Sequence, residues 1–378
     1  MSRHSLDGLL VVSLEQAVAG PLASRKLADA GARVIKVERP GPGDFARAYD
    51  SLVHGESSWF VWLNRGKESV ALDIKRPDDI ALLRRICATA DVFIQNLAPG
   101  VAAKVGLDSE ILRRANPRLI TCDISGYGED GPYGTMKAFD NLVQGESGLL
   151  SITGLPDEPA KVGISICDIS AGTHAFAAIL EALFARERTG VGQGLKISLF
   201  DCLADWMSVP FLHQVYGGKA PARTGLHHAT VGPYGPYAAK DGRRVIIAVA
   251  SEHDWVSFCQ GVLQRPELAT DPRFEINHKR IANRTVLEPM IVAILGQLSF
   301  EEMIERLRQA DIPYGRINTV ADLTTHPQLR RITVETPSGP AEVAADPLRV
   351  VGIAEERSVV RVPALGEHSG PIRREFAT

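Results

Sequence analysis

The chain carries no surplus of charge of either sign. Its 42 lysines and arginines against 45 aspartates and glutamates leave a formal net charge of -3 over 378 residues. That balance offers no basic surface for a nucleic acid. Cysteine is scarce as well. Cys87, Cys122, Cys167, Cys202 and Cys259 lie far apart with no C-x-x-C pair, which fits neither a zinc site nor a secreted disulfide framework. No uninterrupted apolar run reaches membrane-spanning length, and residues 1–7 (MSRHSLD) lack an apolar signal core, so a cytoplasmic protein with no membrane partner is expected. Several motifs are missing too. No G-x-G-x-x-G follows the first apolar run, and no G-x-x-x-x-G-K-[ST], H-E-x-x-H or G-x-S-x-G occurs. No internal repeat or low-complexity tract is present.

What remains is globular material, 45% hydrophobic and 23% charged, in a chain longer than one core usually supports. Two domains are expected: residues 1–216 joined by the tail 331–378, and a smaller unit over 217–330. From residue 9 to 126 the pattern alternates. Apolar runs at 9–14, 33–38, 69–74, 91–97 and 119–125 predict strands, and amphipathic stretches at 22–30, 78–90 and 109–115 predict helices. Short links between alternating strands and helices imply a mainly parallel sheet covered on both faces, a Rossmann-like α/β large domain. A further strand over 194–200 and a helix over 201–216 follow. Residues 217–236, rich in glycine, proline and histidine, mark the boundary to a smaller α/β unit. In that unit the pattern predicts a strand over 244–250 and helices near 254–263, 284–298 and 300–310. Short strand-like runs at 332–335 and 341–344 then return to the first domain.

Ligands of such sheets lie off the C-terminal strand ends. The loops there bring Arg39, Lys75, Lys104 and Lys137 to one topological edge. Several cations at one edge suit a ligand bearing several phosphates, whose charge cannot be buried unpaired. A second feature stands alone, Asp168 at the head of the segment 161–194. A helix after it places Phe176, Ile179, Leu180, Leu183 and Phe184 at 3-4 spacing on one face, and Gly190 stops it. At the helix entrance, N–H donors and the positive end of the dipole should keep the carboxylate ionised and aimed. A cap alone does not account for Asp168, because Ser170 could serve as well. Cys167 beside it, with an apolar flank, reads as a buried inert thiol, and His174 as a packed or hydrogen-bonded histidine.

The segment around Asp168, with its small-residue helix and the turn Thr189-Gly190-Val191-Gly192-Gln193, resembles the active-site signature of the class III coenzyme A transferases. This is the family of formyl-CoA transferase and carnitine CoA-transferase (CaiB/BaiF type), and the resemblance extends along most of the chain. It implies that Asp168 is a covalent nucleophile, that CoA thioesters are the substrates, and that no other cofactor or metal takes part. It also implies an interlocked homodimer. By resemblance the CoA contacts fall on Val18, Ala19, Arg39, Leu72, Asp73, Ile74, Lys75, Asn96, Leu97, Ala98, Lys104, Lys137, Ala138, Phe139 and Asp140. Formyl-CoA transferases carry a glutamine where this chain has Val18, and a glycine-rich flap with a glutamine where it reads 224–234. Both departures argue against formyl-CoA and oxalate. They point instead to the members acting on dicarboxylates such as succinate, glutarate, itaconate, mesaconate or citramalate.

Arg223, His227 and His228, in the boundary segment, are candidates for holding the second carboxylate of such an acid, and the two histidines serve equally well as boundary surface residues. An acyl-CoA racemase or isomerase of the same fold and a non-catalytic CoA-binding protein are the alternative readings. The racemase would need a histidine near Glu129, and none occurs between His54 and His174. A pure binder would not require Asp168.

Overall fold

The computed structural model describes residues 5–351 and 360–377. The chain packs as two compact units. The first comprises Met1–Ser147, Val162–Ser208 and Arg330–Thr378, and the second comprises Gly148–Lys161 and Val209–Leu329. Each is a mixture of helices and strands.

The first unit is built on six strands: β1 (Leu10–Leu14), β2 (Arg33–Glu38), β3 (Lys67–Ala71), β4 (Val92–Gln95), β5 (Ile120–Ser125) and, beyond the short hairpin β6 (Gly154–Leu155) and β7 (Glu158–Pro159), β8 (Gly194–Ser198). Their order is β3-β2-β1-β4-β5-β8, and every neighbouring pair is parallel. Val11, Val12, Val34, Ile35, Phe93 and Ile94 are buried on both sides of the sheet, as residues of a covered parallel sheet must be. The covering helices are α1 (Ala19–Asp29), α2 (Ser58–Asn64), α3 (Pro77–Thr89), α4 (Val101–Lys104), α5 (Ser109–Ala115), α6 (Asp140–Glu146), α7 (Ile166–Thr189) and α8 (Leu199–Trp206).

The 24-residue helix α7 is long and apolar enough, with a mean hydropathy of 1.3, to cross a membrane by length and composition. Asp168, His174 and Glu181 punctuate it, so it is no uninterrupted apolar run, and the expectation that none occurs is unchanged. In this unit α7 packs instead against α1, with Ala171, Gly172, Ala175 and Ile179 buried, and it ends on Gly190, whose φ of 73° is left-handed. Of the face that the 3-4 spacing predicted, Ile179 and Leu183 are buried and Phe176 and Leu180 partly so, but Phe184 is 61% exposed. Small residues, Ala171, Gly172 and Ala175, join it in the first half of the helix, because α1 comes so near that a Cβ on Gly172 would lie 2.6 Å from the Ala19 carbonyl oxygen.

The tail returns to the first unit. The strands β12 (Arg331–Thr336), β13 (Gly339–Ala344) and β14 (Val360–Arg361) form a small sheet that packs Val334, Ala341 and Val362 on Phe60 and Val61. The last helix, α15 (Ser369–Glu375), blocks the open edge of β3: Ser69 N–H donates to His368 Nδ1 at 3.2 Å, and Ala71 N–H donates to Ser369 Oγ at 3.0 Å.

The second unit contains an antiparallel sheet of β9 (Tyr234–Ala238), β10 (Arg244–Ala248) and β11 (Tyr314–Arg316). Helices α10 (Glu252–Ser257), α11 (Asn277–Ala282), α12 (Arg284–Leu295), α13 (Phe300–Gln309) and α14 (Val320–Thr324) accompany it, over a core that includes Tyr237, Ile247, Trp255, Phe258 and Met303. Two boundaries differ from the sequence expectation. The helix expected over 201–216 breaks at Met207 into α8 and α9 (Ser208–Gly217), and the second unit starts at Val209 rather than at 217. It also takes in Gly148–Lys161, because Arg223 holds that hairpin through its backbone carbonyls.

The closeness of α1 and α7 is testable. Gly172→Ala forces the added methyl into the Ala19 carbonyl and should lower the urea midpoint, at a cost of about 1–3 kcal/mol. Gly163→Ala, where a Cβ meets nothing within 4 Å, should leave the midpoint where it is. Equal midpoints for the two variants would mean that the helices are not packed this tightly.

Candidate active site

All six strands point their C-terminal ends to one edge, and the strand order reverses direction between β1 and β4. At that switch point the loop after β1 is tied to the loop after β4: Gln16 N–H donates to Asn96 Oδ1 at 2.9 Å, and Asn96 Nδ2 donates to the Gln16 carbonyl at 2.8 Å. A cavity of about 360 Å3 opens off β4, β5 and β8, lined among others by Gln95, Leu97, Ala98, Asp123, Tyr127 and Ser198. Arg39, Lys75, Lys104 and Lys137 follow the ends of β2, β3, β4 and β5, are exposed, and make no ion pair among the described residues. Leu72, Asp73 and Ile74 form the turn after β3, where Asp73 Oδ1 accepts the Lys75 N–H at 3.0 Å.

Beneath this edge lies a buried cluster of charges. Lys36, in the middle of β2, donates to Asp44 at 2.9 Å and sits 3.5 Å from Glu15; Lys67, at the start of β3, donates to Glu15 at 2.7 Å and to Asn64 at 2.9 Å. None of Glu15, Lys36, Asp44 or Lys67 exposes its side chain. Burial opposes every one of these charges. Lys67 and Lys36 nevertheless hold Glu15 below the usual carboxylate range, and Asp44 and Glu15 raise Lys36. Lys67 is the exception: burial, with Lys36 adding to it, brings it down to about 7 against the pull of Glu15. Asp44 also accepts the N–H of Ala17 at 3.0 Å, holding that residue at φ 63°, from which Val18 and Ala19 lead into α1. Val18 and Ala19 are themselves buried, and Trp59 and Ile169 of α7 pack against the cluster of Val18, Leu22 and Leu63.

Asp168 lies in the first turn of α7, two residues inside the helix. Neither it nor Ser170 caps the helix: Asp168 is already inside the first turn, and Ser170 is buried and bonded to Cys202 and His174. Asp140, at the start of α6, accepts the N–H of Cys167 at 2.7 Å and that of Asp168 at 3.4 Å. Burial, and the charge of Asp140 beside it, push the Asp168 carboxyl up to about 7. Sequence reading expected a plainly ionised aspartate. The helix dipole is worth at most about 2 kcal/mol, and here burial and a like charge outweigh it. Tyr49, stacked edge-on to Trp59 at 6.0 Å, is pushed up to about 12 by burial and by Asp44 and Asp168. It follows a short turn of no recognisable motif, and sequence reading missed it. Burial and Asp140 raise the Cys167 thiol, so it stays protonated, and all five cysteines are free and buried. His174 Nδ1 donates to the Ser170 carbonyl oxygen, 2.9 Å away, and lies near Trp206 as a packed histidine.

The second unit holds the remaining candidates. Arg223 donates to the carbonyls of Leu155 at 2.8 Å and Pro156 at 2.6 Å. His227 lies edge-on to Tyr237, in a space that Gly235 leaves by having no Cβ, with Nδ1 4.0 Å from Glu288. His228 stacks on Tyr234, and its Nδ1 accepts the N–H groups of Thr230 and Val231. All three residues thus have local partners that shape the segment 224–234.

The model of CoA-transferase family III matches residues 6–369, and the chain belongs to that family. By type it is a class III CoA-transferase. It is 36% identical over 373 residues to the acetyl-CoA:oxalate CoA-transferase of Acetobacter aceti, covering 98% of this chain and 95% of that one. It is 34% identical over 393 residues to the succinate–glutarate CoA-transferase of Agrobacterium fabrum, covering 99% and 96%. Among solved structures, a CAIB/BAIF family protein from Brucella suis superposes with a TM-score of 0.81 at 35% identity, over 99% of this chain and all of that one.

The raised carboxyl makes a prediction about stability. An acid that ionises near 3.9 in the unfolded chain and near 7 in the fold binds more protons folded than unfolded between those values. Stability therefore falls as pH rises from about 4 to about 7, and the penalty is complete above 7. Asp168→Asn should raise the melting temperature by a few degrees at pH 8 and by much less at pH 5. A gain that is equal at both pH values would show an ordinary carboxylate.

Proposed function

We propose that the protein transfers CoA from an acyl-CoA, with succinyl-CoA the foremost donor, to a small dicarboxylic acid such as glutarate, itaconate, mesaconate or citramalate. The observation that carries this reading is Asp168 in a family III chain, held at the first turn of α7 and raised to about 7 by burial and by Asp140. A group this far from its ordinary value, at the head of a helix, has the character of a working nucleophile.

Ionised Asp168 attacks the thioester carbonyl; the C–S bond breaks and CoA leaves as the thiolate, giving a mixed anhydride. The thiolate attacks the aspartyl carbonyl of the anhydride and expels the donor acid as a carboxylate, leaving an aspartyl-CoA thioester. The acceptor carboxylate attacks that thioester, again forming an anhydride and releasing thiolate. Thiolate attack on the acceptor's acyl carbon then yields the new acyl-CoA and frees Asp168. Because a thioester is exchanged for a thioester, the chemistry requires neither ATP nor metal, and no general base is needed above the pH at which Asp168 ionises.

The nucleotide end of CoA is assigned to the sheet edge. There Arg39, Lys75, Lys104 and Lys137 supply cations and the loops 72–75, 96–98 and 137–140 supply backbone donors, with Val18 and Ala19 below. A dicarboxylate acceptor is supported by the name of the relative that acts on succinate and glutarate. Oxalate, disfavoured by the residue at Val18, is kept among the acceptors because a relative 36% identical is named for it. The working unit is assigned as a homodimer. Val209, Phe211, Leu212, Val215 and Tyr216 of α9 are exposed, an apolar face that a second copy would cover. Light scattering at twice the mass of one chain is the expected result, and a monomer at micromolar concentration would remove this element. A cytoplasmic location is supported by five unpaired thiols and by the core packing of α7.

The experiment is an exchange panel. Purified protein with succinyl-CoA is offered oxalate, glutarate, itaconate, mesaconate, citramalate, formate and carnitine, and new CoA esters are read by mass spectrometry. Esters of dicarboxylic acids are expected with wild type and none with Asp168→Ala, and hydroxylamine should convert the acylated Asp168 to a hydroxamate. In the same assay, Arg39→Ala and Lys104→Ala should each raise KM for the donor about tenfold with little change in kcat, the pattern of lost uniform binding. Exchange confined to formate or carnitine would overturn the acceptor class. Undiminished turnover in Asp168→Ala would overturn the mechanism.

A further inference from the structure

The first turn of α7 has no cap of its own. Ser165, the residue ahead of it, makes no side-chain hydrogen bond to the helix. The N–H groups that a helix leaves unpaired at this end are met from α6 instead. Asp140 Oδ1 accepts from Cys167 at 2.7 Å and, at greater length, from Asp168 at 3.4 Å. The other oxygen of Asp140 accepts Gln144 Nε2 at 2.6 Å, and Gln144 Oε1 in turn accepts the Val162 N–H at 2.9 Å. Gln144 is fully buried. One carboxylate and one amide therefore bind together α6, the chain leading into α7, and the first turn that carries Asp168.

The arrangement has two effects of opposite sign. Hydrogen bonds from first-turn N–H groups to an outside acceptor stabilise the start of the helix and fix its direction. The acceptor is also an anion set beside the nucleophile. Asp140 faces Asp168 from α6, and Tyr49 faces it from the turn after β2. On α7 itself the neighbours are Cys167, a protonated thiol, and His174 one turn further on, bonded to Ser170. Asp140 is thus the charged group acting on Asp168. A neutral acceptor at the same place would cap the helix without opposing the second charge.

We propose that Asp140, braced by Gln144, is the positioning residue for Asp168: it caps α7 from outside and places the nucleophile beside a fixed negative charge. This rests on Asp168 being the acylated residue of the transfer reaction, and it assigns Asp140 to the nucleophile rather than to the nucleotide. The charge makes Asp168 a stronger nucleophile once ionised, because basicity and nucleophilicity rise together within one class of group. It also confines acylation to pH values at which that ionisation has occurred.

The test uses the full-length chain, with succinyl-CoA as the acylating probe, followed by rapid quench and mass spectrometry from pH 5.5 to 8.5. Wild type should acylate Asp168 with a midpoint near 7. Asp140→Asn keeps an oxygen for the helix cap and loses the charge. Its midpoint should fall by roughly one pH unit, with KM for succinyl-CoA within about threefold of wild type. Asp140→Ala should show the same acid shift and, the cap being gone, acylate more slowly still at every pH. An unmoved midpoint in Asp140→Asn overturns the proposal, and so does a rise in KM as its sole effect, which would return Asp140 to the CoA contacts. If wild type shows no acylation of Asp168 at any pH, the transfer mechanism fails. The placement is then judged without substrate, by the melting-temperature gain from Asp168→Asn at pH 8. In the Asp140→Asn background that gain should shrink, and an undiminished gain overturns the proposal by itself.

Discussion

Two lysines and two carboxylates shut away from water hold the sheet edge in register. Lys36 and Lys67 alternate with Glu15 and Asp44, so each charge has an opposite neighbour within 3.5 Å. Such a cluster gives little net stability as a whole, but removing one member leaves an unpaired charge and costs about 3–5 kcal/mol. Its value is therefore in specifying geometry. Asp44 fixes Ala17 in a left-handed conformation, α1 starts two residues later, and Ile169 of α7 packs against the cluster of Val18, Leu22 and Leu63. A contact chain of three elements thus runs from the middle of β2 to the residue next to Asp168.

The charges around Asp168 follow the opposite rule. In the sheet cluster the signs alternate. At the head of α7 two carboxylates stand together, and burial and Asp140 hold Asp168 well above the usual carboxylate range. A fold whose buried charges are elsewhere compensated tolerates an uncompensated pair where chemistry uses it. Acyl transfer needs a carboxylate that is both available and reactive, and weak solvation supplies the second property.

Much of the fold was legible in the chain because its signals are local. The run RVIKVE is β2 residue for residue, 109–115 is α5, and the end of α7 reads directly from Gly190. Lys36 in that run was a signal left unused, since a lysine inside a strand covered on both faces must find a buried partner. The failures have a common cause in contacts between distant segments. The 3-4 spacing of α7 could not reveal that Ala171, Gly172 and Ala175 join the buried face while Phe184 stays exposed. The break at Met207 is an exception with a local mark: Pro210, in the first turn of α9, has no N–H to continue the ladder of α8. The charge state of Asp168 depends on Asp140, 28 residues earlier, and the anchoring of 148–161 depends on Arg223, more than sixty residues later. His227 and His228 stood out as a pair, yet nothing in the sequence forecast that Gly235 makes room for the first ring or that the second accepts two backbone N–H groups.

The five thiols give the protein a built-in reporter of its own opening. All are buried, so a small electrophile in solution meets a reactive sulfur only when a segment swings away from its core. They are also spread through the fold: Cys87 on α3, Cys122 on β5, Cys202 on α8 and Cys259 in the second unit mark four separate places. Cys167 adjoins Asp168 and shares its hydrogen-bond acceptor. Its alkylation rate is therefore a clock for the fraying of the catalytic turn, one that runs with no substrate present and slows when anything bound there holds the turn shut.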